Sequence, residues 1–266
     1  MRIERIYISG HSRDLRFTRC AVASIRQFYP DIPISLIKDE SNGPYDTGDL
    51  DRLFGVSLFD TPVKKFGWGM AKLEPLFLPK RERFLVLDSD TVFVGRVLDR
   101  LEEYDEDFIV ELCNHDAGDI RAHYFDPAVL SVEYPNFHYP GWVFNSGQFV
   151  AVTGRLRRED FAPFVTFEEP RVVLRPDLFR CGDQGVLNFV LFRKQHRGEV
   201  TIRREKFMKW PSAIEPGAVR KIDLDSGRLR YLLHWAGHKR PLLVANPLGE
   251  VLQYFEFAYY RKLHGR

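Results

Sequence analysis

Phe84-Leu85-Val86-Leu87-Asp88-Ser89-Asp90-Thr91 is the stretch that decides the fold. An apolar run of this length, bounded by turn signals, reads as a strand buried on both faces of a parallel sheet. It stops abruptly in Asp88 and Asp90. Open α/β sheets place ligands at the carboxyl ends of such strands. Side chains at i and i+2 of an extended segment point to one side, so the two carboxylates can converge on a hard cation. A divalent ion held there suits a diphosphate, whose oxygens complete the coordination shell.

Upstream of this strand, Ile3 to Ser9 reads as a first strand. Leu15, Cys20, Val22, Ile25 and Phe28 then recur at helical spacing and stop before Pro30. Ile34 to Ile37 predicts a second strand, Leu50 to Phe54 a short helix, and Trp68 to Leu78 a helix leading into the Phe84 run. Strands alternating with helices predict an α/β fold, a mostly parallel, doubly wound sheet in a single domain. Downstream, residues 113–142 break the pattern. Tyr124, Phe125, Tyr134, Phe137, Tyr139 and Trp142 lie there among polar residues and prolines, which predicts either a functional segment or a short helix that the pattern hides. Residues 216–227 read as a surface connection. The run from Val251 to Lys262 is aromatic, ends basic and reads as a helix. The expected division is therefore a domain over 1–245 and a helical extension over 246–266.

Composition narrows the class. The chain has 266 residues, 44% of them hydrophobic and 29% charged, as in ordinary globular proteins. A formal charge of +2 without long like-charge blocks does not argue for nucleic acid. Cys20, Cys113 and Cys181 are scattered, with neither a disulfide framework nor a C-x-x-C metal site, which fits a reducing cytoplasm. No stretch approaches the roughly 20 apolar residues of a membrane span.

Three further motifs follow the Asp88/Asp90 pair. Phe144-Asn145-Ser146-Gly147 precedes an apolar run, Cys181-Gly182-Asp183-Gln184-Gly185-Val186-Leu187-Asn188 opens a helical segment, and His234-Trp235-Ala236-Gly237-His238-Lys239-Arg240-Pro241 closes a strand. In this order and spacing they resemble glycosyltransferase family 8. The resemblance implies a GT-A fold and a retaining transfer of a sugar from a nucleotide-diphosphate donor, a UDP-sugar, to a glycan or glycolipid acceptor. It implies that Asp88, Asp90 and His234 hold the metal, and imidazole beside carboxylates favours Mn²⁺, with Mg²⁺ as the alternative.

The same resemblance distributes the donor contacts. Gly237 would admit the phosphates, and Lys239 or Arg240 would bind them in place of the family's usual Lys. Lys72 and Ser89 would lie near the diphosphate, and Asn145, Ser146 and Gly147 would cradle the sugar. Asp183 and Gln184 would stand at the anomeric carbon, with Asp183 also able to cap its helix. Ser9 and His11 fall where the family contacts base and ribose, His11 in place of a usual acidic residue, with Asp14 as a possible substitute. The aromatics of residues 113–142, between the metal strand and the Asn145 loop, would form an acceptor-side lid or pack a loop onto the core. The aromatic and basic C-terminal run would allow peripheral membrane contact or pack its rings onto the domain. Two other classes share parts of this pattern: a sugar-nucleotide nucleotidyltransferase, for which Ser9-Gly10-His11-Ser12 is a poor phosphate loop, and a non-catalytic nucleotide-sugar-binding protein.

Overall fold

The computed structural model describes residues 1–67, 69–237 and 239–265. The chain begins with β1 (Arg5–His11), α1 (Leu15–Phe28), β2 (Ile34–Asp39), α2 (Gly48–Phe54) and β3 (Val56–Leu58). A 3-10 helix, Met70–Phe77, leads to β4 (Arg83–Asp88), β5 (Thr91–Gly95), α3 (Val97–Leu101) and β6 (Phe108–Glu111). Then come α4 (Ala117–His123), α5 (Pro127–Glu133), β7 (Gln148–Val152), α6 (Arg158–Phe161), α7 (Asp183–His196), β8 (Ile202–Glu205) and β9 (Met208–Lys209). The chain closes with α8 (Lys221–Ser226), β10 (Arg228–His234) and α9 (Gly249–Leu263).

The main sheet has strand order β3-β2-β1-β4-β7-β6-β8, and a smaller sheet has order β5-β10-β9. In the main sheet β7 runs against both of its neighbours, and the remaining pairs are parallel. The expected mostly parallel α/β sheet is therefore present.

Its central strand shows why the apolar run of β4 is continuous. Leu85 and Leu87 enter a core built with α1, α9, β5 and β10, while Phe84 and Val86 enter a second core with α7 on the opposite face. A strand covered on both faces has no wet side to mark with polar residues. The C-terminal helix joins the first of these cores. Leu252, Phe255 and Tyr259 are buried there, and the Tyr259 ring stacks on Phe54 at 5.5 Å.

Several local expectations are corrected. The segment before β4 is a tight 3-10 helix carrying Pro75, and the expected start of that helix, Trp68, lies outside the described residues. Residues 113–142 contain α4 and α5, each opened by an aspartate, Asp116 or Asp126, that accepts backbone N–H bonds. Tyr124, Phe125 and Phe137 of this segment are buried, and Phe137 and Tyr134 pack on Phe189 of α7. Tyr124, Phe125 and Phe137 fill the second core, so the expected aromatic faces are not available there, whereas Tyr134, Tyr139 and Trp142 are only partly buried against it. The connection 216–227 includes α8.

Candidate active site

Asp88 is the last residue of β4, while Ser89 and Asp90 form the turn into β5. The convergence of the two carboxylates therefore comes from a turn, and the expected extended i, i+2 geometry is corrected. The turn places Asp90 beside β10, because β5 and β10 pair antiparallel with His234 opposite Thr91. The Trp235 N–H donates to the Asp90 carbonyl at 3.1 Å and locks this junction. On the other side, the Asp88 N–H donates to the Gly147 carbonyl at 2.7 Å.

Asp88, Asp90 and His234 each offer a ligand atom, and these atoms all lie within 4.8 Å of one another. His234 Nε2 is 3.2 Å from Asp90 Oδ1 and 3.7 Å from Asp88 Oδ2. Neither ring nitrogen of His234, only 1% exposed, has a hydrogen-bond partner among the described residues, and neither has Asp90 Oδ1. Lone pairs this close and this dry repel unless a proton or a cation lies between them, and unpaired buried polar atoms are costly. The donor set, two carboxylates and one imidazole, fits a divalent ion that takes nitrogen as well as oxygen. The Asp88 side chain is 30% exposed, which leaves one side of the cluster open to a ligand.

Gly147 makes this approach possible. A Cβ there would stand 2.8 Å from Asp88 Oδ2, 2.7 Å from Asn145 Oδ1, and against the His234 ring. Two lysines flank the cluster. Lys239 Nζ lies 2.9 Å from Asp90 Oδ2 and also binds Asp14, whose Oδ2 accepts from Ser89 Oγ and lies 3.2 Å from His11 Nε2. Burial raises the Asp90 carboxyl, but His234 and Lys239 outweigh it and hold the group well below the usual range. Asp14 is held low by the same balance of burial against His11 and Lys239.

Lys72, 4% exposed, lies between two acids: its Nζ is 3.0 Å from Asp88 Oδ1 and 3.2 Å from Asp183 Oδ2. Burial opposes its charge, but Asp183 and Asp88 together raise its pKa above the ordinary lysine value. Asp183, 2% exposed, moves the other way for a carboxylate, up to about 6, through burial and the like charge of Asp88 against the help of Lys72. The two shifts are consistent because one ammonium serves two carboxylates, and the deeper acid is left under-compensated. Gly69, with φ +70, lets the chain turn close to this pair, since a Cβ there would overlap the Asp183 carboxylate.

Asp183 is the first residue of α7. The cap position is Gly182 and no side chain caps the helix, so the expected capping role of Asp183 is overturned. Its carboxylate still benefits from the helix N-terminus. Gln184 Oε1 accepts from Asn145 Nδ2 at 3.1 Å and its Nε2 donates to the His123 carbonyl at 3.2 Å. Asn145 Oδ1 accepts the Gly147 N–H at 2.8 Å. The Asn145 amide is thus engaged within the protein instead of standing free for hydroxyls.

The structure therefore gathers Lys72, Asp88, Ser89, Asp90, Asn145, Ser146, Gly147, Asp183, Gln184, His234 and Lys239 at one end of the sheet. Ser9 is level with Asp88 one strand away, and His11 joins through Asp14. Of the two basic candidates, Lys239 turns into the cluster, while the Arg240 backbone N–H and carbonyl bind Asn246. Gly237 has φ +87, and no atom lies within 4 Å of where its Cβ would be; His238 lies outside the described residues. Two partners were not expected from the sequence: Asp14, which binds Lys239, and Trp210, which stacks on the His234 ring at 5.2 Å.

No protein-family model matches the chain, and no curated protein matches it by sequence. Among solved structures it is similar to the galactosyltransferase LgtC in complex with donor and acceptor sugar analogs, with TM-score 0.58 and 17% identity over 96% of this chain and 95% of that one. It is also similar to WbbM, a bifunctional glycosyltransferase, with TM-score 0.59 and 13% identity over 98% of this chain and 52% of that one. The glycosyltransferase GlyE of Streptococcus pneumoniae gives TM-score 0.57 and 16% identity over 99% of this chain and 62% of that one. At these identities the likeness is one of fold, and the fold is the GT-A type.

Proposed function

We propose that the protein is a metal-dependent retaining glycosyltransferase that moves a sugar from a nucleotide-diphosphate donor, a UDP-sugar, to a glycan or glycolipid acceptor. One observation carries this reading: Asp88, Asp90 and His234 converge with unpartnered ligand atoms beside the Lys72–Asp183 pair. The fold likeness to LgtC, itself bound to donor and acceptor sugar analogs, supports it. When bound to these three residues, Mn²⁺, or Mg²⁺ in its place, supplies Lewis-acid neutralisation of the diphosphate.

The chain's own groups do the rest. Lys239 and Lys72 bring positive charge to the two sides of the carboxylate pair, where donor phosphate oxygens compete for it. Ser89, Ser146, Gly147 and Gly237 line the phosphate and sugar path, with Arg240 and His11 at its margins. Asp183 accepts from donor-sugar hydroxyls, and its charge is sustained by Lys72. Gln184, fixed through Asn145 and the His123 carbonyl, presents an amide to the anomeric centre. An amide is a poor nucleophile, which favours a front-face reaction in which the leaving phosphate takes the acceptor's proton.

In this reading residues 1–245 form the transferase unit and 246–266 its extension. No described helix is long and apolar enough to cross a membrane. The exposed Phe257 and Tyr260 with Arg261 and Lys262 support peripheral contact of α9 with a membrane that carries the acceptor.

The test is incubation with a panel of UDP-sugars and Mn²⁺, reading UDP release with and without candidate acceptors. Release from one donor, abolished by chelation, is the expected result. Absence of release from every donor, with binding retained, would favour a nucleotide-sugar-binding protein.

A further inference from the structure

No protein group among the described residues orients the His234 ring through a hydrogen bond. A metal-binding ring is customarily oriented by donating its second N–H to a carboxylate, carbonyl or water. Here Nε2 faces Asp88 and Asp90, and Nδ1 is buried with no hydrogen-bond partner among the described residues. Packing holds the ring instead. Its Cε1 edge is set against Gly147, and its face is covered by Trp210 at 5.2 Å and an interplanar angle of 30°.

The position of Trp210 follows from the small sheet. β9 is only Met208–Lys209, paired parallel with β10 through Leu232↔Met208 and Leu233↔Lys209, so the next residue on each strand is Trp210 and His234. The Leu232 N–H donates to the Phe207 carbonyl at 2.7 Å and fixes the register. Pro211 follows and starts a 3-10 turn, which ends the strand with Trp210 beside the cluster.

We propose that Trp210 is a positioning residue for metal binding, its indole face doing for His234 what an outer hydrogen bond does elsewhere. This rests on the metal reading of Asp88, Asp90 and His234. A flat aromatic face restricts rotation of an imidazole, whereas an aliphatic side chain fills space without fixing the ring plane.

The experiment uses the full chain and Mn²⁺ alone, with free Mn²⁺ read by electron paramagnetic resonance and folding by melting temperature without metal. Trp210→Leu is expected to weaken Mn²⁺ binding by about tenfold or more, the range for losing an orienting outer partner, while Trp210→Phe stays within about threefold of wild type by keeping a face on the ring. Wild-type affinity in Trp210→Leu would overturn the proposal, and so would equal weakening in both variants. His234→Ala and Asp90→Asn serve as controls. If they bind Mn²⁺ as wild type does, the metal reading has failed and this inference falls with it. If they lose binding while Trp210→Leu keeps it, the positioning role alone has failed.

Discussion

Replacing Asp183 with Asn should make the protein more stable and less active, with the gain dependent on pH. In the folded state the Asp183 carboxyl is pushed up to about 6, from 3.8 when unperturbed, because burial and Asp88 disfavour its charge more than Lys72 favours it. The unfolded chain therefore releases this proton at lower pH than the folded one. Stability present below pH 4 is lost as pH rises through 6 and stays lost above. At about 1.4 kcal/mol per pKa unit, the cost near pH 7 is on the order of 3 kcal/mol.

Asn keeps the shape and an acceptor for Lys72 but does not ionise, and Lys72 retains Asp88 at 3.0 Å. Asp183→Asn should thus raise Tm at pH 7.5 by about 6 °C, at roughly 2 °C per kcal/mol for a chain of this size. The gain should nearly vanish at pH 4. Turnover should fall by about 10²-fold if the carboxylate orients the donor sugar. Scanning calorimetry across pH 4 to 8, with steady-state rates at saturating donor, measures both. A Tm that drops equally at both pH values would refute the electrostatic account. A wild-type rate would remove Asp183 from the reaction.

Other perturbations test separate parts of the argument. Asp90→Asn, or excess chelator on the wild type, should abolish turnover without unfolding the chain, because one carboxylate of the shell is lost; full activity in either case would sink the metal reading. Gly147→Ala should weaken Mn²⁺ binding at least about tenfold and cost about 1–3 kcal/mol, since the new Cβ would crowd Asp88, Asn145 and His234. Unchanged Mn²⁺ titration and melting would show that the loop can move away freely. Glu111 is held by N–H groups of Phe207 and Met208, and burial lifts its carboxyl from 4.5 to about 7. The stability it allows below pH 4.5 is lost as pH rises to about 7, on the order of 3 kcal/mol. Glu111→Gln should flatten the fall of Tm between pH 5 and 8, and an unaltered slope would contradict this.

The parts of this protein legible in the sequence are those encoded over a few consecutive residues. The β4 run is apolar throughout because both of its faces are covered, and the abrupt change at Asp88 marks the sheet end. Helix α1 declares itself by periodicity and by the Pro30 stop. What escaped was of two kinds. Helices α4 and α5 are only one or two turns long and sit among polar residues, so they show little periodicity. Asp126-Pro127 was nevertheless a readable helix start, a cap followed by proline in the first turn. The other kind is nonlocal. The sharing of Lys72 between Asp88 and Asp183, the pairing of Lys239 with Asp14, and the stacking of Trp210 on His234 all join residues far apart in the chain. The strand that delivers Trp210 is two residues long and pairs with β10 alone, so no local pattern announces it.

The β5–β10 register also sets where the gene can gain or lose codons. Side chains alternate faces along β10, so one residue added or removed between Leu232 and His234 would turn His234 away from Asp90 and present an apolar neighbour there, Leu233 or Trp235. The start of the same strand is more forgiving. Its register already shifts between Arg228 and Leu229 and again before Leu232, so slack can be absorbed before the ligand is reached. Length variation should therefore accumulate ahead of Leu229 and stop short of Leu232, a boundary that a library of single-residue insertions across residues 214–236 would trace directly in surviving activity.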